Sequence, residues 1–312
     1  MDNRLIKLED LHQFDNIEIL AKQVVEGSII GLHKSPFHGF SVEFAEHRIF
    51  NPGDPLKNVD WKVFGRTDKL FVKRYEEETN LRAHIVIDVS SSMHFPEKDN
   101  DDKKIPFNKL AFSTVSAAAL MHIFKKQRDS VGLSVFSNEV EEHTKARSTT
   151  VHHRLISATL ERYLKRPDRG IKTAAAKCLH EIAENIHKRS MVIIFSDMLE
   201  NNENVEAIFS ALQHLKHNKH EVILFHVVDQ KKEIAFEFEN RPYEFIDMET
   251  DERVKIESNQ IKDFYAKKMK EFKDSIRMRC TQYRIDLVEA DINKDFTQVL
   301  KPYFNKRTKM NV

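Results

Sequence analysis

Cysteine is nearly absent from this sequence, and so are long apolar runs. The two cysteines, Cys178 and Cys280, stand in polar stretches of helical character, so we interpret both as free thiols of a reducing compartment. The longest apolar runs, at 85–89 and 222–228, are too short to span a bilayer, and the first residues carry no apolar signal segment. We therefore expect a soluble, cytoplasmic protein with no transmembrane segment.

An excess of either charge is also lacking. Lysine and arginine number 50 against 49 acidic residues, which gives a net charge of +1. A chain so balanced has no global field that would attract nucleic acid or an acidic membrane. We expect no nucleic-acid partner.

Glycine is scarce, with seven residues in all, and its distribution divides the chain. Five of the seven glycines lie within residues 27–65, among prolines and many aromatic residues. This composition predicts an N-terminal helix and an irregular, β-rich module over residues 1–80, with short strands at 40–44 and 69–75. The aromatic content argues against a disordered arm.

From residue 81 onward, apolar strands alternate with long amphipathic helices, which is typical of a mostly parallel sheet with helices on both faces. We predict this α/β domain over residues 81–304, with a β excursion at about 231–257 and a tail at 305–312. The predicted strands are 83–89, 130–136, 190–196, 221–228 and 284–289. The predicted helices are 107–127, 173–187, 205–217 and 260–280.

The first strand of this domain runs directly into three oxygen-bearing side chains, Asp88, Ser90 and Ser92. Ligands of open α/β sheets bind at the carboxyl ends of strands, where these residues stand. One carboxylate with two hydroxyls suits a hard cation such as Mg²⁺, whereas Zn²⁺ would favour His or Cys ligands. The triplet alone is equally compatible with capping the N-terminus of a helix.

Two further residues are placed to join this edge. Asp197 follows the apolar strand 191–196, and Thr173 opens a long helix at the end of a loop. Because parallel strands end at a common edge, we expect both side chains near Asp88.

Several motifs together resemble the von Willebrand factor type A-like proteins of domain-of-unknown-function family fifty-eight, over roughly residues 27–304. They are Gly39–Arg48, Asn51–Pro55, Val59–Trp61, Gly65–Arg66 and Asp88–Met93. The resemblance implies a metal-ion-dependent adhesion site that uses Ser90 and Ser92 and, directly or through water, Asp88, Thr173 and Asp197. It also implies Mg²⁺ or another divalent cation such as Mn²⁺ or Ca²⁺, and a MoxR-type AAA+ ATPase as partner in chaperone-like assembly.

Other motifs in the sequence favour catalysis less. A haloacid-dehalogenase-type phosphatase requires an acid where Ser90 stands, and the segment 170–173 lacks the glycines of a phosphate-binding loop. His214, His217 and His220 have a metal-like spacing without further ligands nearby, so we interpret them as solvated or helix-capping residues.

Two functions remain. The first is a non-enzymatic interaction protein, in which a partner's Asp or Glu carboxylate completes the coordination of the cation. The second is a metal-dependent hydrolase, a phosphoesterase acting at the same edge.

Overall fold

A computed structural model describes residues 17–32, 47–50, 59, 61–73, 81–96, 108–165, 173–199, 205–238, 241–248 and 252–310. Within these ranges the helices are α1 (Ile17–Leu32), α2 (Trp61–Thr67), α3 (Lys109–Lys126), α4 (Thr150–Lys165), α5 (Ala175–Asn185), α6 (Val205–His217), α7 (Ser258–Gln282) and α8 (Thr297–Met310). The strands are β1 (His47–Ile49), β2 (Phe71–Lys73), β3 (Arg82–Asp88), β4 (Ser130–Phe136), β5 (Val140–His143), β6 (Met191–Ser196), β7 (Glu221–Val228), β8 (Pro242–Ile246), β9 (Arg253–Glu257) and β10 (Asp286–Asp291). Two short turns complete the set, a 3₁₀ turn at Ser91–His94 and a π-helical turn at Gln230–Ile234.

The largest sheet has six strands in the order β10-β7-β6-β3-β4-β5. Every neighbouring pair is parallel except β4 and β5, which are antiparallel. The chain moves from β3 to β4 on one side and later returns to β6 on the other, so the strand order reverses at β3. Such a reversal is the point at which open α/β sheets bind ligands. The predicted α/β class and mostly parallel sheet are confirmed.

The strands form where apolar residues run without interruption, because the sheet is covered on both faces. Alternate residues of β3, β6 and β7 face one cluster that also contains residues of α5, α6 and α7; it includes Val86, Val192, Ile194, Val222, Leu224, Leu179, Ile182, Phe209, Leu212 and Ile276. Neighbouring strand residues such as Ile85 and Ile193 are equally buried and, by the alternation of a strand, point to the opposite face.

Helices α3 and α8 pack together through aromatic residues. The ring of Phe124 in α3 meets that of Tyr303 in α8 edge to face, with centroids 5.3 Å apart. The Tyr303 hydroxyl donates to Gln127 Oε1 at 3.0 Å, and Arg307 donates to the buried carboxylate of Asp129. The last helix is thereby joined to the segment that leads into β4.

Between β7 and α7 the chain leaves the sheet and forms an antiparallel pair, β8 and β9, within the predicted β excursion. The π-helical turn precedes this pair, and Asp229 caps it by accepting from the backbone N–H groups of Lys231 and Lys232. A compact group of rings follows, in which Phe236 contacts Phe238, Phe245 and Tyr265 at centroid distances of 4.9, 5.5 and 4.7 Å. The turn is therefore anchored at both ends.

Residues 31–80 form one compact unit, and residues 1–30 with 81–312 form the other. In the smaller unit, β1 pairs antiparallel with β2, and Trp61 and Phe64 of α2 meet edge to face. This division shares the break after residue 80 with the expected domains, but it places residues 17–30 of α1 in the larger unit. The expected tail at 305–312 differs as well, since α8 continues to Met310. The predicted strand at 40–44 and most of the segment Gly39–Pro55 lie outside the described residues.

Candidate functional site

The carboxyl end of β3 positions the first part of the site. Asp88 is the last residue of the strand and is 2% exposed. Its Oδ1 accepts from the backbone N–H of Ser90 at 3.0 Å and from the Ser90 hydroxyl at 2.7 Å. The Ser90 hydroxyl has a single hydrogen, which it donates to Asp88. The hydroxyl of Ser92, 3.1 Å from that of Ser90, therefore donates to Ser90. The turn after β3 thus gathers all three residues of the triplet.

The neighbouring strand β6 supplies the second part. Ser196, its last residue, donates from Oγ to Asp88 Oδ2 at 2.7 Å. The following residue, Asp197, is 1% exposed and accepts from the backbone N–H of Leu199 through Oδ1 at 3.1 Å. The ring of His226 in β7 contacts the backbone of Asp197, since its Nε2 lies 3.0 Å from the Asp197 carbonyl oxygen. A carbonyl only accepts, so Nε2 carries the hydrogen.

A buried lysine lies beside Asp197. Lys109, the first residue of α3, is 1% exposed, and its Nζ donates to Asp197 Oδ2 at 2.7 Å and to Glu233 Oε1 at 2.8 Å. Glu233 belongs to the π-helical turn and also accepts from the backbone N–H of Asp229. Burial disfavours the ammonium, but Asp197 and Glu233 outweigh that effect and raise the pKa of Lys109 above its usual range. Lys109 therefore carries a positive charge inside the site.

Thr173 lies at the same edge of the sheet. The next residue, Ala174, donates its backbone N–H to the carbonyl of Ser137, which follows directly after β4. Since β4 pairs with β3 up to Asp88, this bond holds the start of α5 at the carboxyl edge of the two strands. The Thr173 hydroxyl is buried and has no hydrogen-bond partner among the described residues. Such an orphaned polar atom requires an explanation, for which a bound ion or water is one ordinary answer.

The chemistry available at this edge is that of oxygen. Four hydroxyls, of Ser90, Ser92, Ser196 and Thr173, and the carboxylates of Asp88, Asp197 and Glu233 are present. The described residues contain no group of three or more His, Cys, Asp or Glu side chains placed to hold a metal ion. Burial, followed by the nearby charge of Asp197, raises the pKa of Asp88 to about 6, against the opposing effect of the hydrogen bonds from Ser90 and Ser196. A cation near Asp88 would reverse that effect, because it favours the ionised carboxylate. The donor set fits a hard divalent cation.

The sequence-predicted residues are brought to one edge of the sheet. Asp88, Ser90 and Ser92 are linked by hydrogen bonds, Asp197 acts on the charge of Asp88, and Thr173 is anchored at the adjacent strand end. Sequence reasoning missed Ser196, Lys109 and Glu233. A lysine that opens an otherwise apolar helix was the available signal for Lys109. Glu233 stands in a charged run, Lys231–Glu233, that gives no indication of burial.

The three histidines that had a metal-like spacing have separate surroundings. The Nδ1 atom of His214 lies 3.2 Å from Nδ1 of His180, and His220 Nδ1 accepts from the backbone N–H of Ser190 at 3.2 Å. His217 is exposed near the end of α6. Of the three, His217 is solvated as expected, whereas His220 is buried and bonds to the segment before β6, so the expected solvated or capping role is wrong for His220.

The fold and the site together define an α/β protein with a mostly parallel sheet and a buried hydroxyl–carboxylate cluster where its strand order reverses. A family model described as "Protein of unknown function DUF58" matches residues 46–275, well over half of the chain. The protein belongs to this family.

Several relatives and solved structures are similar to this chain, but none of them indicates its function. Uncharacterized proteins of Mycobacterium bovis and Mycobacterium tuberculosis are 23% identical over 183 residues, which cover 59% of this chain and 55% of each relative. The chain thus spans just over half the length of these relatives. The crystal structure of BatB from Bacteroides thetaiotaomicron matches with a TM-score of 0.41 and 14% identity, covering 73% of this chain and 99% of that one. An aerotolerance-related membrane protein from Bacteroides fragilis matches with a TM-score of 0.40 and 13% identity, covering 72% and 99%. Similarity at this level carries no functional argument.

No helix in the described part of the chain combines the length and the apolar character needed to cross a membrane. Cys178 and Cys280 are both free and buried, and burial raises the pKa of each thiol to about 12. At neutral pH they are protonated and unreactive.

Proposed function

We propose that this protein is a divalent-cation-dependent protein-interaction module with a von Willebrand factor A-like domain. Mg²⁺ is the preferred ion, with Mn²⁺ or Ca²⁺ as substitutes. Ser90, Ser92 and Thr173 would hold it through hydroxyl oxygens, and Asp88 and Asp197 would supply the negative charge. When bound, the ion would present an open coordination position to a carboxylate of a partner protein.

The observation that carries this proposal is the orphaned hydroxyl of Thr173 at the edge where Asp88 and Asp197 meet. Asp88 and Ser90 are already bonded to each other, and Asp88 also to Ser196, so the cluster is organised before any ligand arrives. A preorganised set of oxygens lowers the entropic cost of binding an ion. The position at the reversal of strand order is where ligands of such sheets bind.

The identity of the partner protein is part of this proposal. The resemblance noted for the sequence implies a MoxR-type AAA+ ATPase, with a chaperone-like role in assembling or maturing other complexes. A reducing, cytoplasmic location belongs to the same proposal. The balanced charge of the chain favours a protein partner over nucleic acid.

Calorimetry with MgCl₂ tests the site directly. Ser90→Ala removes one hydroxyl ligand and the bond to Asp88 Oδ1, and we expect Mg²⁺ affinity to fall at least about tenfold. Ser157→Ala is the matched control, since that serine also donates to a carboxylate, Glu18, but lies on α4 away from this edge. Equal Mg²⁺ affinity for the wild type and Ser90→Ala would exclude the proposed ligand set.

Capture of a MoxR-type ATPase tests the interaction separately. We expect binding in Mg²⁺ and its loss in EDTA or in Ser90→Ala. Binding that persists unchanged in EDTA would show that no metal bridges the two proteins, whatever the outcome of the calorimetry.

One observation favours the second candidate, a metal-dependent phosphoesterase. Burial and Asp197 raise the pKa of Asp88 to about 6 in the metal-free protein, and a bound cation would lower it again, so that Asp88 would act beside the ion as an ionised carboxylate able to accept a proton. This hypothesis predicts Mg²⁺-dependent turnover of p-nitrophenyl phosphate that is lost in Asp88→Asn. Absence of turnover across a panel of phosphoesters would leave the interaction module as the better explanation.

A further inference from the structure

Lys109 occupies a position that local physical chemistry disfavours. It is the first residue of α3, where the helix dipole repels a cation, and it is 1% exposed, so its ammonium has lost its hydration. The helix has its own N-cap, since Asn108 Oδ1 accepts from the backbone N–H of Ala111 at 2.7 Å, and therefore needs no help from Lys109. Residues that break local rules in this way cluster at functional sites.

The contacts of Lys109 place its ammonium between two buried carboxylates. Its Nζ lies 2.7 Å from Asp197 Oδ2 and 2.8 Å from Glu233 Oε1. Asp197 in turn acts electrostatically on Asp88, which is 2% exposed and receives hydrogen bonds from neutral groups, the backbone and hydroxyl of Ser90 and the hydroxyl of Ser196. Two buried carboxylates at adjacent strand ends repel strongly in a low-dielectric setting. The Lys109 ammonium offsets this repulsion through its contact with Asp197.

We propose that Lys109 is a positioning residue that stands in for a metal ion: its ammonium holds Asp197 in place and keeps the candidate site assembled while no divalent cation is bound. The inference rests on the proposed metal site. It explains how the site keeps its structure when the metal ion leaves. A bound divalent cation and the Lys109 ammonium then both reduce the repulsion between the carboxylates of Asp88 and Asp197. Loss of Lys109 makes the folded state depend on the ion.

The test compares thermal unfolding of the full chain in MgCl₂ and in EDTA. The main variant combines Lys109→Met with Glu233→Gln, so that no unpaired charge is left buried at position 233, while the new amide still offers an oxygen to the backbone N–H of Asp229. Glu233→Gln alone is the matched control, because Lys109 keeps its contact with Asp197. Each protein gains stability from Mg²⁺ by mass action, and the measured quantity is the difference in Tm between the two conditions.

We expect the Tm difference of the double variant to exceed that of the wild type by at least about 5 °C. Calorimetry should show an Mg²⁺ affinity at least about tenfold higher, because Asp197 then has lost the ammonium as its counter-ion. The Glu233→Gln control should respond as the wild type does. A residue that matters only for packing would lower Tm equally in Mg²⁺ and in EDTA.

The remaining outcomes are distinct. Equal Tm differences in all three proteins, each above zero, overturn the role of Lys109 and leave the metal site standing. No Tm difference in any protein, with no Mg²⁺ binding by calorimetry, overturns the metal site and this inference with it. A double variant that stays unfolded at saturating Mg²⁺ also overturns the inference, since the ion then fails to replace the ammonium.

Discussion

At the scale of single residues, Thr173 is the most informative member of the site because its hydroxyl is buried without a partner among the described residues. Removing a hydrogen-bonded buried hydroxyl normally costs about 1–3 kcal/mol. An orphaned hydroxyl has no such bond to lose, so its removal should be nearly free unless an ion uses it.

Thr173→Val should therefore leave the Tm in EDTA within a few degrees of the wild type while lowering Mg²⁺ affinity by roughly 10–100-fold, the range for residues that hold metal ligands. Thr173→Ser, which keeps the hydroxyl, should bind Mg²⁺ like the wild type. Calorimetry and thermal unfolding measure the two effects separately. A valine variant with undiminished affinity would remove Thr173 from the ligand set.

Gly132 in β4 gives a second prediction at this scale. A Cβ atom built on Gly132 would lie 2.6 Å from His84 Nδ1 and 2.6 Å from the carbonyl oxygen of Thr144. His84 lies in β3, and the backbone of Thr144 is held by its hydrogen bond to Leu133 of β4, so Gly132→Ala should lower the free energy of unfolding by about 1–3 kcal/mol. Gly27→Ala in α1 is the control, because nothing lies within 4 Å of its Cβ, and it should be neutral or slightly stabilising. Urea denaturation measures both, and equal stability of the two variants would contradict the close approach.

At the scale of elements, the strands β3, β4 and β5 are joined by a buried polar chain. His84 Nε2 lies 2.7 Å from the Ser134 hydroxyl, which lies 2.9 Å from His143 Nδ1, and the two imidazoles stack at 5.2 Å. Burial, then the charges of His143 and His220, lowers the pKa of His84 to about 3. His84 is therefore neutral in the folded protein at any pH near neutrality.

This neutral histidine makes stability depend on pH. In the unfolded chain His84 takes up a proton as the pH falls below about 6.5, whereas the folded protein does not until about 3. The unfolded state binds more protons in that window, so the contribution of His84 to stability is constant above pH 6.5 and falls below it by about 1.4 kcal/mol per pH unit. Urea denaturation at pH 7.5 and 5.5 should show this loss in the wild type. His84→Gln should have a smaller loss; an identical pH dependence would assign the effect to other groups.

The elements that sequence predicted and those it missed differ for a physical reason. Strands β3, β4, β6 and β7 were predicted to within one residue because both of their faces are buried, and an unbroken apolar run marks them. Strand β5, Val140–His143, was missed because it lies at the edge of the sheet and its residues are only half-buried. Helix α4 was missed because polar residues interrupt its apolar face.

The site divides in the same way. The triplet at Asp88 was visible because its members are neighbours in sequence at the end of a buried strand. Lys109 and Glu233 were not, because their contacts join positions 88 and 124 residues apart, and no local pattern encodes such a distance. Charge pairs of this kind are visible only when the folded chain brings them together.

At the scale of the whole molecule, the end of the larger unit is fixed by an ion pair across the sequence. Arg307 in α8 donates to Asp129, 178 residues away, and also to the hydroxyl of Tyr303 at 3.1 Å. Asp129 is 0% exposed, and burial raises its pKa despite the hydrogen bond from Arg307. The segment that the sequence predicts as a tail therefore neutralises a charge at the start of β4.

Arg307→Met should lower the free energy of unfolding by about 3–5 kcal/mol, because it leaves Asp129 as an uncompensated buried charge. Adding Asp129→Asn removes that charge, and the double variant should regain most of the loss. Urea denaturation of the two variants and of the wild type at pH 7.5 measures both steps. If the double variant is no more stable than Arg307→Met alone, the contribution of α8 is packing, and the ion pair does not hold the helix to the rest of the unit.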